Sequence, residues 1–190
     1  RSSAASDVYK RQGLFFGTFN PLHNGHIGIC KKLFEKKIVD EIWLVISPLS
    51  PHKKSEQIVD EFLRLDMIKE AIEQFLYIKV LDIEFKMKKP NFTFLTLKEI
   101  KKQFPSNNYS IIMGEDNFLK IDTWKNSSFI KSNFKIISYP RSSKSVDDVL
   151  DNFYDISSTE IRYLVKNKSD ISRFVPKEVN RFIKERNLYI

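Results

Sequence analysis

The sequence predicts an α/β protein: a doubly wound parallel sheet of about five strands, helices on both faces, and helices closing the C-terminal end of the chain. Two observations lead there. Short apolar runs alternate with stretches whose apolar residues recur at spacings of three and four. Strands that alternate with helices pair in parallel, because each return path is a helix laid on the sheet. A chain of 190 residues that is 42% hydrophobic, with 16 Phe, has the apolar material for one such domain.

The elements follow in order. Residues 1–12 (RSSAASDVYKRQ) have neither an apolar core nor a helix or strand period, and read as a non-native or disordered leader rather than a signal peptide; 13–190 is left as a single domain. Leu14–Phe16 forms the first strand. A glycine-bearing loop then leads to a helix from about His26, with Ile27, Ile29, Cys30, Leu33 and Phe34 as its buried stripe. Glu41–Ile46 is the second strand, followed by a loop containing Pro48 and Pro51. Asp60 opens a helix carrying Phe62, Leu65, Ile68, Ala71, Ile72 and Phe75 at spacings of three and four. Ile78–Leu81 is the third strand and Lys86–Pro90 a charged connector. Thr93 is placed to cap a helix carrying Leu97, Ile100 and Phe104, which ends before Pro105. Tyr109–Met113 is the fourth strand, broken by Gly114, and one helical stretch from about Glu115 to Ile130 leads to the fifth, Phe134–Tyr139. Pro140–Asp151 is a surface loop, Ser157 and Ser158 precede a helix with Ile161, Leu164 and Val165, and Pro176 starts the last helix.

Composition excludes several classes. The longest apolar run, Ile42–Ile46, is far short of the roughly 20 residues of a membrane span. A single Cys, Cys30, rules out an internal disulfide and favours a reducing compartment, the cytoplasm. The net charge of +8 fits nucleic acid, an anionic membrane surface or a polyanionic small substrate equally well. Lys residues are spread along the chain with no block of five basic residues and no aromatic-basic recognition module, so neither a membrane nor a nucleic-acid partner is read from them. The scarce residues say more: four of the five Gly (13, 17, 25, 28) and two of the three His (23, 26) fall within sixteen residues.

Open α/β sheets bind ligands beyond the carboxyl ends of their strands, and the rare residues fall there: Gly17 after the first strand, His52 after the second, Gly114 after the fourth. In the run Gly17-Thr18-Phe19-Asn20-Pro21-Leu22-His23-Asn24-Gly25-His26, Gly17 lets backbone approach a phosphate and Gly25 permits a tight turn. His23 and His26 flank the amino end of a helix, where free N–H groups favour an anion. A zinc pair does not fit, since the third His is distant and the only Cys lies in the helical stripe. At the far end of the chain, Ser157 or Ser158 is placed as an N-cap with Arg162 one turn further in.

GTFNPLHNGH resembles the signature of the HxGH nucleotidylyltransferases, which are built on a Rossmann-like sheet, and Ile156-Ser157-Ser158-Thr159-Glu160-Ile161-Arg162 resembles their ISSTxIR motif at the ATP phosphates. From Leu14 to Ile190 the chain is most similar to the nicotinate-nucleotide adenylyltransferases. That resemblance implies transfer of the adenylyl group of ATP to nicotinate mononucleotide, with Mg²⁺ accompanying ATP and a homo-oligomer as a further expectation. It assigns His23, His26 and Lys53 to catalysis. Gly17, Thr18, Phe19, Gly25, Gly114, Asp116, Ser157, Ser158, Thr159 and Arg162 fall to ATP. Asn20, His52, Thr93, Trp124 and Lys125 fall to the pyridine substrate, and no protein metal ligand is implied. Pro51-His52-Lys53 is similar to the family's PHK loop, Asn91-Phe92-Thr93 to its SYT segment at the nicotinate carboxylate, Ile112–Asn117 to its IMGxDN turn against the adenosine, and Trp124-Lys125 to its ring-stacking position. The chain departs from the pattern at Leu95, where Asp is usual, in a short loop from Pro140 to Tyr154, and at the start of the first strand. Pantetheine-phosphate adenylyltransferases share both signatures but carry Asp and Thr where this chain has Asn20 and His23. Cytidylyltransferases, a silent nucleotide-binding regulator and a basic nucleic-acid-binding protein are the other readings.

Overall fold

A computed structural model describes residues 10–48, 58–105, 107–140 and 156–190. Its elements run β1 (Arg11–Gly17), α1 (Asn24–Glu35), β2 (Glu41–Ile46), α2 (Glu61–Ile72), β3 (Ile78–Leu81), α3 (Thr93–Gln103), β4 (Asn108–Gly114), α4 (Glu115–Phe118), α5 (Ser127–Asn133), β5 (Lys135–Tyr139), α6 (Ser158–Lys166) and α7 (Lys177–Glu185). The five strands pair in parallel in the order β3-β2-β1-β4-β5. Strand order therefore reverses between β1 and β4, and a crevice opens beyond their carboxyl ends.

The strand period of two divides the interior into two cores. Phe15, Ile42, Leu44, Ile46, Ile112 and Ile137 face one side of the sheet and pack with Leu33 of α1, Met67 and Ile68 of α2, Ile161 of α6 and Val179 of α7. Their alternates Leu14, Trp43, Val45, Ile111 and Met113 face the other side and pack with Leu97 and Ile100 of α3 and Ile130 of α5. This is the doubly wound arrangement the alternation predicts.

The differences have local causes. β1 begins at Arg11, inside the stretch set apart as a leader, because its first residues are fixed by polar contacts that leave no apolar trace. The Arg11 guanidinium pairs with Asp40, and the buried Gln12 donates from Nε2 to Glu41 Oε1 at 3.1 Å. Phe34 and Phe62 are exposed rather than inward: Phe34 stacks on Tyr77 with ring centroids 4.1 Å apart, and Phe62 meets Phe85 edge-on at 5.4 Å. The expected single helix from 115 to 130 is three pieces, α4, a 3-10 turn at Ile121–Thr123 and α5. The break falls at Asn126, whose φ of 57° is left-handed, a conformation Asn tolerates better than most residues. α3 takes Phe92 as its N-cap, without a side-chain bond, and Thr93 is its first residue rather than the cap. Among the described residues, no helix is long and apolar enough to cross a membrane.

Candidate active site

At the β1/β4 switch point lies a cleft of about 780 Å³. Its floor is the carboxyl ends of β1 and β4, Phe15–Gly17 and Ile111–Gly114. One wall is the loop into α1 and that helix (Thr18, Phe19, His23, Gly25, His26, Ile29, Lys32) together with the start of α6 (Ser157–Glu160). The facing wall is the start of α3 (Asn91, Phe92, Thr93), Asp116 and Asn117 of α4, and Trp124 with Lys125.

The histidines form a stacked pair, ring centroids 3.6 Å apart at 28°. His23 is the N-cap of α1, and its backbone N–H donates to Nδ1 of His26 at 3.3 Å. A ring nitrogen that accepts carries no proton, so a neutral His26 holds its proton on Nε2 and presents a donor there. The ring of Phe19 stands edge-on to His26 at 5.0 Å and to Phe15 at 5.7 Å. Phe19 has φ of 44°, a strained conformation for a bulky residue, and its ring covers Gly17, where a Cβ would lie 3.0 Å from it. The first glycine is thus needed by Phe19. No glycine has positive φ, and Gly25, placed in the first turn of α1 rather than in a tight turn, contributes a wall without a side chain.

The two terminal motifs meet directly. Ser158 Oγ donates to the Pro21 carbonyl at 2.9 Å, and Arg162 Nη1 to the Asn20 carbonyl at 2.9 Å, contacts that span 137 and 142 residues. Ser157 caps α6, its Oγ accepting from the Glu160 N–H at 3.1 Å. Arg162 Nη2 donates to Thr159 Oγ1 at 3.3 Å, and the guanidinium does not line the cleft. Nor does Asn20, expected at the substrate: it is buried, and its Oδ1 accepts from the Val59 N–H at 3.2 Å and the Tyr189 hydroxyl at 2.8 Å. In the free protein Asn20 therefore holds the loop through these two bonds and does not line the cleft. Tyr189 lies between Arg64 and Arg162; burial pushes its phenol up and the two arginines pull it part of the way back.

On the facing wall, Trp124 rests on the α3 side of the core and presents part of its ring to the cleft. Lys125 Nζ sits 4.5 Å from the centre of the Phe92 ring. The first-turn N–H groups of α3, at Thr93 and Phe94, have no acceptor within the helix. Leu95, where the pattern departs, is exposed on that helix. His52 and Lys53 lie outside the described residues.

Three residues of the site escape a reading of motifs. Arg64 of α2 is fully buried and donates to the carbonyls of Val59, Thr18, Ser47 and Pro48, which ties the loops after β1 and β2 together; burial lowers its pKa. It shares a face with Met67, Ile68 and Ala71, so an arginine on an apolar stripe was the available signal. Glu84, in a 3-10 turn at Ile83–Lys86, is buried and lines the cleft. Its Oε1 accepts from Thr96 Oγ1 at 2.8 Å, and burial raises its pKa. Lys32 lines the cleft two turns beyond His26.

Comparison with known proteins agrees with this geometry. A family model described as cytidylyltransferase-like matches residues 14–164. A protein of Flavobacterium psychrophilum named "Probable nicotinate-nucleotide adenylyltransferase" is 38% identical over 93% of this chain and 97% of its own length. A protein of Christiangramia forsetii with the same name is 39% identical over 95% of this chain and 98% of its own. The solved Plasmodium falciparum nicotinic acid mononucleotide adenylyltransferase, complexed with NaAD, shares the fold with a TM-score of 0.72 at 19% identity, covering 95% of this chain and 98% of that one. The chain belongs to the cytidylyltransferase-like family, among its nicotinate-nucleotide adenylyltransferases.

Proposed function

We propose that the chain transfers the adenylyl group of ATP to nicotinate mononucleotide, giving deamido-NAD and pyrophosphate. An oxygen of the mononucleotide's 5′-phosphate attacks the α-phosphorus of ATP, the bond from that phosphorus to the oxygen bridging to the β-phosphorus breaks, and pyrophosphate departs with the bond's electron pair. A phosphate monoester is already a competent nucleophile, so catalysis is positioning and charge stabilisation. The observation that carries the reading is the hydrogen-bonded junction of the His23–His26 loop with the Ser157–Arg162 helix start beside one cleft. The Nε2–H of His26 would donate to the α-phosphoryl oxygens, and His23, Ser158, Thr159 and Lys53 would hold the leaving pyrophosphate, while Arg162 would support them through its bonds to Asn20 and Thr159.

Magnesium fits as part of the substrate. Among the described residues no group of three His, Cys, Asp or Glu is placed to hold a metal, while the cleft offers N–H and O–H donors suited to phosphate oxygens. Bound with ATP, Mg²⁺ would supply charge neutralisation on the leaving phosphates. On the facing wall, Trp124 would stack on the pyridine and the N–H groups at the start of α3 would bind a carboxylate that the nicotinamide nucleotide lacks. The cytoplasm suits a chain whose one thiol, Cys30, is buried and held in its neutral form.

Pyrophosphate release with ATP and, in turn, nicotinate mononucleotide, nicotinamide mononucleotide and phosphopantetheine tests the reading. The nicotinate nucleotide should be the preferred acceptor; equal rates with the amide overturn the pocket assignment, and preference for phosphopantetheine overturns the function. His26→Ala should lower kcat by about 100- to 1,000-fold with circular dichroism unchanged. A variant with near-parental kcat refutes the role of His26.

A further inference from the structure

His26, Ile29 and Lys32 stand at three-residue intervals on α1 and all line the cleft, so one face of the helix presents an imidazole, an aliphatic side chain and an ammonium in succession. The surroundings of the last are unusual. The Nζ of Lys32 is shut off from solvent and has no hydrogen-bond partner among the described residues. Its neighbour Lys31, on the outer face, behaves ordinarily, exposed and 3.8 Å from Glu35. Withdrawing an ammonium from water without an acceptor is costly, and a protein that tolerates the cost at a cleft wall recovers it when a ligand supplies the acceptor. With a helical rise of about 1.5 Å per residue, Lys32 lies roughly 9 Å along the axis from His26, within the length of one bound nucleotide.

We propose that Lys32 is a further nucleotide-binding residue: rotation of its flexible stem brings the buried ammonium out onto the cleft wall, where it takes an acceptor of the nucleoside triphosphate whose phosphates lie against His23 and His26. The inference rests on the reading of the cleft as an ATP site and adds to it a residue that neither terminal motif contains. The shared chemistry is an electron-rich acceptor on the nucleotide, and two parts of ATP supply one: the oxygens of the phosphate tail and the ring nitrogens of the base.

Lys32 also predicts an opposition between binding and stability. A lysine kept for packing or an ion pair lowers stability when removed, whereas removing an unsatisfied buried ammonium relieves a penalty in the free protein and withdraws a donor from the complex. Calorimetric titration of MgATP into the full chain and its Lys32→Met variant, with thermal melting of both in the absence of nucleotide, tests this. The variant should bind MgATP at least about tenfold more weakly. It should bind nicotinate mononucleotide unchanged and melt no lower than the parent. MgATP affinity within twofold of the parent overturns the proposal, and so does equal weakening of both ligands, which marks general distortion. Competition by pyrophosphate and by adenosine separates the sources: loss of pyrophosphate affinity assigns the contact to the phosphates, loss of adenosine affinity to the base. Because ATP binding needs no acceptor substrate, a parent that binds ATP yet forms no deamido-NAD refutes the proposed reaction while leaving Lys32 decided by its own titration.

Discussion

Replacing Arg64 with Met keeps a long side chain in the space and removes the fork. The guanidinium makes four hydrogen bonds, to the carbonyls of Val59, Thr18, Ser47 and Pro48, and no carboxylate bonds to it among the described residues. At about 1.5–3 kcal/mol for each bond to a charged group, the gross loss is roughly 6–12 kcal/mol. Freeing the chain from holding a guanidinium out of water returns several kcal/mol of that, which leaves a net destabilisation of about 3–5 kcal/mol. Urea unfolding should show it as a lower midpoint with unchanged slope. Two of the four carbonyls belong to Thr18 and Ser47, which line the cleft, so kcat/KM for ATP should fall in the fraction that remains folded. Arg64→Lys keeps the charge but has no planar fork to span the two loops, and should fall between. A Met variant within about 1 kcal/mol of the parent, or one destabilised with kcat/KM intact, refutes the view that Arg64 holds the two loops in register.

Two further predictions concern pH. Burial raises the Glu84 carboxyl, so its contribution to stability is fully present below the ordinary carboxylate range and is lost as pH rises through the raised value. Glu84→Gln removes that dependence, and its melting temperature should gain on the parent as pH rises from about 4 to 8; a constant difference across that range refutes the assignment. Hydrogen bonds from Arg11 lower Asp40 to about 2, so the pair contributes above the ordinary value of 3.8 and its contribution is lost as pH falls toward 2. Asp40→Asn should cost a little stability near neutrality, less in high salt because the pair is exposed, with the cost shrinking as pH falls through 2. Equal melting temperatures at neutral pH would show that the pair adds nothing to holding the start of β1.

The parts of the fold that were legible are those where burial alone decides conformation. β2 and β3 have the bounds the sequence predicts: β2 is buried along its whole length, and the edge strand β3 buries Ile78 while leaving Lys79 exposed to pair with Glu41. Asp60 and Ser157 open their helices as expected, each accepting N–H groups of the first turn. Where polar contacts decide, the pattern is silent. Arg11 and Gln12 belong to β1 through Asp40 and Glu41, twenty-nine residues away, and no local period records such a bond. Phe34 and Phe62 fit the spacing of a buried stripe but lie at its margins, where each finds one aromatic neighbour outside the core.

The candidate site divides along the same line. Residues that would touch the substrates through local geometry were legible as motifs: the histidines because a helix start favours anions, Ser157 and Ser158 because hydroxyls suit an N-cap, Trp124 through a resemblance. Residues that hold those motifs in place were not, because their partners are carbonyls, and a carbonyl has no side-chain identity for a sequence to display. Arg64 grips four of them. Arg162 shows the consequence: it was assigned to the phosphates as part of a motif, and in the free protein it holds the Asn20 carbonyl while Tyr189 holds the Asn20 side chain. The loop carrying His23 is therefore positioned from the last residues of the chain. Lys32 has no such prior engagement among the described residues, which is why its removal separates affinity from stability where removal of Arg162 would lower both.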